Sequence, residues 1–450
     1  MRPLTDLAAD LESGRVTARD LVEACLARIA DPAGEGSRAF LRVHADQARA
    51  AAAAMDTLRR AGRAPSPYAG LPVSLKDLFD IAGEPTPAGS RVLAGAPPAA
   101  THAPAVRRLL AAGFVPVGRT NMTEFAYSGL GMNPHYGTPL SPWDRATGRV
   151  PGGSSSGAAV SVADGMAAVA IGTDTGGSCR IPAAFCGITG YKPTARRVPR
   201  EGVMPLSTSL DSVGALGVSV ACCAIADAVL AGEAGPPPGV LDPAPVAGLR
   251  LAAPENVVLD GLDADTGAAY EAALRHLAAR GAWIERRRFP ALDGILAASA
   301  RGSLVTAEAF AWHRTLLAER GDAYDQRVRV RLQQGERMSA ADYIDLRAAR
   351  VAIRREMDAA SAGYDALVMP TVPIMPPALA ALAADDAYAR VNALVLRNPA
   401  LVNFLDRCAI SLPCHAAGAP PAGLMLVGET MGDRRLLAVA AAVERALRGG

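Results

Sequence analysis

Residues 151–194 read PGGSSSGAAVSVADGMAAVAIGTDTGGSCRIPAAFCGITGYKPT, and this stretch decides how the rest of the chain is read. It holds two glycine-flanked serine clusters joined by a short segment of small residues and an apolar run, with almost no charge between them. Glycine admits positive φ and lets a substrate approach the main chain closely, so two such turns in near succession point to a site. GAAVSVADG (157–165) reads as a helix of small residues able to pack closely on a sheet, and MAAVAIGTD (166–174) as a buried strand. IPAAFCG then turns back toward a strand at 188–192.

Upstream, short helical patterns fall near 4–12 and after Thr17, a candidate N-cap, and an Ala-rich helix spans 45–62. LPVSL (71–75) is a buried strand that delivers Lys76 at its end; 104–112 reads as a helix and 114–118 as a strand. NMTEFAY (121–127) reads as a loop entering a helix. Downstream, a helix near 218–231 precedes the Pro/Gly-rich connector at 231–248. Strands follow at 249–255 and 282–289 around a helix at 264–280, then a helical stretch rich in Arg and Ala from about 291 to 362. The tail reads as a strand from 365 running into a proline-fixed loop, a helix at 389–398, a turn at 411–418, a strand at 422–428 and an amphipathic helix at 433–448. Apolar strands alternating with helices predict an α/β fold whose sheet is covered on both faces.

Composition excludes several classes. Half of the 450 residues are hydrophobic but only 4% are aromatic, so the core is built from Ala, Leu and Val. A formal net charge of +2 leaves no footprint for nucleic acid and no polybasic patch for a membrane. Seven cysteines without metal-type spacing predict reduced thiols. The N-terminus lacks a signal-peptide core, and no apolar run reaches the roughly 18 residues of a membrane span; the expectation is a soluble cytoplasmic protein.

A serine nucleophile needs a proton acceptor and donors for an oxyanion. The turn TDTGGS supplies the backbone N–H groups of Thr175, Gly176, Gly177 and Ser178. None of the six histidines (His44, His102, His135, His276, His313, His415) lies in a context that marks it as a base. Lys76, leaving a buried strand, is the better candidate, since burial disfavours the ammonium. Gly153 to Gly157 matches the GxSxG nucleophile elbow, but a loop precedes it where that motif needs a strand. Asp174-Thr175-Gly176 matches the aspartic-protease triplet, but it occurs once and not in an all-β context.

GGSSSGAA (152–159), GTDTGGSCRIPAAFCGITGYKPT (172–194) and SLDSVGAL (209–216) together resemble the amidase signature family. LPVSLKDLFD (71–80), GRTNMTEFAYS (118–128), ALVMPTVP (366–373) and LPCHAAGAPPAGLMLVGETMGDRRLL (412–437) extend the likeness, which is dense over about 70–218 and thinner elsewhere. The resemblance implies one large domain over 1–450 with a central mixed, twisted sheet covered by helices. N-terminal helices would occupy 1–65, and a variable helical substrate funnel about 291–362. It implies a Ser–cis-Ser–Lys triad in which Ser178 is the nucleophile, Ser154 the bridging serine after a cis peptide bond, and Lys76 the base. Thr175 to Ser178 would form the oxyanion hole, Ser155, Asp174 and Arg180 would brace the site, and no metal or cofactor would be needed. The implied substrates are small or aryl amides, with carbamates or esters open to the same nucleophile. The alternative is the glutaminase-type component of an amidotransferase complex, similar to the A chain of the glutamyl-tRNA amidotransferase. Neither nucleic acid nor membrane is implied as a direct partner, and a homodimer is compatible with the reading. Ala195-Arg196 after KPT and Ala215 depart from the family pattern, as do Ser156 and Ala158, which bears on substrate rather than on the triad.

Overall fold

Eleven strands form one sheet, and the computed structural model describes residues 2–449. The strands are β1 (Phe40–Val43), β2 (Pro72–Lys76), β3 (Val115–Thr120), β4 (Val169–Asp174), β5 (Thr189–Lys192) and β6 (Ser212–Gly217), then β7 (Arg250–Pro254), β8 (Trp283–Arg287), β9 (Ala366–Pro370), β10 (Ala409–Pro413) and β11 (Gly423–Val427). Their spatial order is β1-β3-β2-β4-β6-β5-β10-β11-β9-β7-β8. The sheet is mixed: β3, β2 and β4 run parallel, as do β9, β7 and β8, and antiparallel pairs join the two groups. Every residue of β2, β4, β5, β6, β9 and β11 is buried, as expected for strands covered by helices on both faces.

The topology places the chemistry. β2 and β4 are parallel neighbours with Val73 opposite Val169 and Leu75 opposite Ile171, so their carboxyl ends, Lys76 and Asp174, emerge at the same edge. Between these strands in the chain, the helix Ser156–Ala163 is buried over Ser156–Val162. Its Gly157 is required by packing: a Cβ there would meet the Ala39 carbonyl oxygen at 2.2 Å and the Asn121 nitrogen at 2.7 Å.

Helices occupy most of the stretch from 290 to 361, at Pro290–Ala298, Leu304–Arg320, Gln326–Gln333 and Ala340–Ser361. Thr17 caps its helix in a reciprocal capping box with Asp20. Several expectations need correction. Residues 121–127 enter only a single turn of 3-10 helix, Glu124–Ala126, in which Phe125 sits at φ 49°. Arg180–Cys186 is a helix rather than a turn, and Ala409–Pro413 is a strand overlapping the expected turn. The helix expected to stop before Pro399 runs from Asp385 to Phe404, because the side chains of its last turn are held by the site described below. All seven cysteines are free, and among the described residues no helix is long and apolar enough to cross a membrane.

Candidate active site

Lys76 is fully buried at the end of β2. Its amine donates to Ser154 Oγ at 2.8 Å and to Thr173 Oγ1 at 2.9 Å. Burial pulls this amine down to about 8, against a smaller upward pull from Cys179, Asp174 and Asp211. With its value near 8, about a tenth of this lysine is neutral at pH 7, against well under a thousandth of a solvated one. Ser154 follows a cis Gly153–Ser154 peptide bond, and its carbonyl accepts the Thr123 N–H at 3.1 Å.

The second serine cluster is the turn from β4 into the helix Arg180–Cys186. Gly177 there has φ 124°, and a Cβ on it would come within 2.6 Å of both Ile181 and Pro399, so no other residue fits. Ser155 ties the clusters together: its N–H donates to the Ser178 carbonyl at 3.3 Å and its hydroxyl to the Thr173 carbonyl at 3.3 Å. Ser178 is 3% exposed and borders a cavity of about 470 Å³. Its hydroxyl makes no hydrogen bond to the protein among the described residues.

The four expected oxyanion donors do not stand alike. The Gly177 N–H is committed to Asp174 Oδ1 at 2.8 Å, which removes it from the set expected from sequence. The N–H groups of Thr175, Gly176 and Ser178 have no protein acceptor among the described residues, and all three of these residues border the cavity.

Asp174 and Arg180 form a wholly buried ion pair at 2.9 Å. Burial alone would raise the Asp174 carboxyl, but the charge and hydrogen bonds of Arg180, with Lys192 and Asn403, hold it well below the usual carboxylate range. Asp174 also accepts the N–H groups of Gly177 and Cys179, so the pair directly shapes the turn that bears Ser178. Asn403 closes the arrangement from the helix Asp385–Phe404, donating to Asp174 Oδ1 at 2.9 Å and accepting from Arg180 Nη2 at 2.5 Å; the Pro399 carbonyl accepts from the same guanidinium at 3.1 Å. Removing one partner of such a pair leaves a buried charge uncompensated. Asp174→Ala is therefore expected to lower stability by about 3–5 kcal/mol, read as a shift of the denaturant midpoint against the wild type.

Three participants carry no mark in the sequence. Thr173 shares the Lys76 amine with Ser154, Asn403 holds the ion pair, and Asp211 accepts the Thr175 hydroxyl at 2.5 Å and so anchors the turn. Burial raises the Asp211 carboxyl to about 6 against the hydrogen bonds it accepts. Thr173 and Asp211 lie inside quoted motifs, but nothing in the pattern gives them a role; Asn403 has no local signal at all. The six histidines bond elsewhere: His44 with Glu84, His135 with Glu124, His313 with Tyr324, His102 with Ala82, and His276 and His415 with backbone carbonyls. Among the described residues no group of three or more His, Cys, Asp or Glu side chains is arranged to hold a metal ion.

The sequence profile described as Amidase matches residues 20–437. The chain is 38% identical to 2-amino-5-chloromuconic acid deaminase of Comamonas testosteroni, over 99% of this chain and 96% of that protein. It is 35% identical to the A chain of the glutamyl-tRNA(Gln) amidotransferase of Chloroflexus aggregans, over 97% and 94%. A crystal structure of an amidase superposes with a TM-score of 0.87 at 33% identity, covering 98% of this chain and 99% of that one. The peptide amidase of Stenotrophomonas maltophilia does so at 0.80 and 28%, covering 99% and 97%. Sheet, sequence profile and relatives agree, and the chain belongs to the amidase family as a hydrolase of carbon–nitrogen amide bonds.

Proposed function

We propose that this chain is a self-sufficient amidohydrolase that cleaves small or aryl amides through an acyl-enzyme on Ser178. The observation that carries the reading is the 2.8 Å contact from a wholly buried Lys76 amine to Ser154 Oγ, beside the turn that bears Ser178. In its neutral form Lys76 accepts the Ser154 proton as Ser154 accepts that of Ser178. The Ser154–Ser178 hydrogen bond that this relay needs forms as substrate is seated, as catalytic hydrogen bonds commonly do. Ser178 Oγ then bonds to the carbonyl carbon, and the oxygen, now negative, is met by the N–H groups of Thr175, Gly176 and Ser178. The relayed proton passes to the nitrogen, the C–N bond breaks, and the amine leaves. Water adds to the ester carbonyl, gives its proton back along the same relay, and Ser178 departs with it. Carbamates and esters present the same carbonyl to the same nucleophile. The helices from 290 to 361, with Asp385–Phe404, serve as the substrate funnel.

The amidotransferase chains among the relatives favour a second reading, a protein that releases ammonia for a partner. Incubating the purified chain alone with aryl amides, short aliphatic amides, glutamine and aryl carbamates separates the two. Turnover that disappears in Ser178→Ala supports the self-sufficient enzyme. A folded protein silent on every compound points to the partner-dependent one.

A further inference from the structure

The cavity bordered by Ser178 is walled largely by apolar side chains, among them Leu206, Leu304 and Leu401, and no carboxylate among the described residues lines it. It nevertheless carries two arginines, Arg331 and Arg397. Their neighbours make this unusual. On the helix Gln326–Gln333, Arg327 is paired with Asp385 at 2.8 Å and Arg329 with Asp322 at 2.8 Å, whereas Arg331 has no acidic partner among the described residues. Among the described residues Arg331 donates once, from Nη1 to the Tyr127 carbonyl at 2.6 Å, and its guanidinium lies 4.3 Å over the Tyr127 ring. One face and one nitrogen are therefore fixed while the rest of the fork stays open. Arg397 is more fully engaged, with donations to the Asp260 and Val258 carbonyls and to Asn398. Arg331 also borders an adjoining cavity of about 420 Å³ that shares Ala393 and Leu396 with the first, so it stands where the two meet.

We propose that Arg331 recognises a free carboxylate on the acyl half of the substrate, so that the enzyme acts on monoamides of dicarboxylic acids. The inference rests on the amidohydrolase reading above. A guanidinium held by stacking and one hydrogen bond presents a preorganised fork to a carboxylate, in an apolar cavity where the interaction is poorly screened. The hydrocarbon chain between the two carbonyl carbons lies along the leucine wall. Holding the acyl half at its far end serves both acylation and deacylation, because that half stays attached to Ser178 when the amine has gone. Hydrolysis then leaves a dicarboxylate, with the new carboxylate at the Ser178 turn and the original one at Arg331.

Product binding tests this independently of turnover. Succinate, glutarate and adipate are titrated into the wild-type chain by calorimetry beside butyrate, valerate and hexanoate. The expected result is that at least one dicarboxylate binds about tenfold or more tighter than the monocarboxylate of equal length. Arg331→Gln removes that preference and Arg331→Lys restores part of it. Equal binding of the two series by the wild type overturns the proposal, whether or not any variant folds. A preference that survives Arg331→Gln, or that disappears only in Arg397→Gln, overturns the assignment to Arg331. Hydrolysis of neutral amides without any dicarboxylate preference leaves the amidohydrolase reading standing and this one fallen. Selective dicarboxylate binding by a chain that hydrolyses no amide does the reverse.

Discussion

Ser178→Ala is expected to reduce amide hydrolysis at least about 10⁴-fold while leaving the fold intact, because residues that act as one catalytic unit lose nearly everything when the nucleophile is removed. The residual rate would come from the proposed oxyanion donors at Thr175, Gly176 and Ser178, whose N–H groups the substitution does not touch. Among the described residues the Ser178 hydroxyl makes no hydrogen bond to the protein, so its removal orphans no buried partner. Stability should accordingly stay within about 0.5 kcal/mol of the wild type. The pairing of a lost rate with an unchanged melting curve distinguishes a nucleophile from a structural serine. Ser154→Ala offers the contrast, since it removes the acceptor of the Lys76 amine and leaves a buried donor with Thr173 alone. If Ser178→Ala retained activity within tenfold of the wild type, the acyl-enzyme would have to be abandoned.

Much of this arrangement was legible in the sequence, for a physical reason. β2 and β4 are continuous apolar runs closed by turn residues, and burial on both faces of a sheet demands such runs. The two serine clusters were legible because glycines cannot be replaced where the backbone is left-handed or crowded, as at Gly157 and Gly177. What was missed depends on partners distant in the chain. β6 reads SVGALG, with two glycines and little intrinsic preference for a strand; its pairing between β4 and β5 makes it one. The helix Arg180–Cys186 carries a proline at its third position and is held by the bond of Arg180 to Asp174 and by burial of all seven residues. Asn403 and Arg331 are invisible as site residues because the first gains its role from a carboxylate 229 positions away, and the second from lacking the acidic partner its neighbours have. The loss of Gly177 from the oxyanion set is of the same kind, since only the position of the Asp174 carboxylate reveals that its N–H is already used.

Lys76→Met is expected to lower activity about 10²- to 10⁴-fold, the range for loss of a positioned general base, and to change the pH dependence along with the rate. In the wild type, kcat/KM should rise about tenfold per pH unit up to about 8 and level off above it, because only the neutral amine accepts a proton and burial sets its value there. The variant should lose that rising limb. A rate near normal with the limb intact would transfer the role of base to another group, yet the histidines are all bonded away from Ser178. Stability should move in the opposite direction from activity. The folded-state value near 8 lies below the unfolded value of about 10.4, so the unfolded chain binds more protons between the two and wild-type stability rises with pH across that window. Below pH 8 both states are protonated and the burial cost is fully present, about 3 kcal/mol. Methionine removes that cost and forgoes two hydrogen bonds of about 1 kcal/mol each, leaving a net gain of about 1 kcal/mol at pH 7 that turns into a loss of about 1 kcal/mol by pH 10, where little of the burial cost remains. A catalytic substitution that stabilises the protein at neutral pH and not at alkaline pH is hard to obtain from a lysine kept for structure. Denaturation curves at pH 7 and pH 10 for wild type and Lys76→Met make the comparison, and a variant less stable than wild type at both would mean that the lysine is held charged by its neighbours.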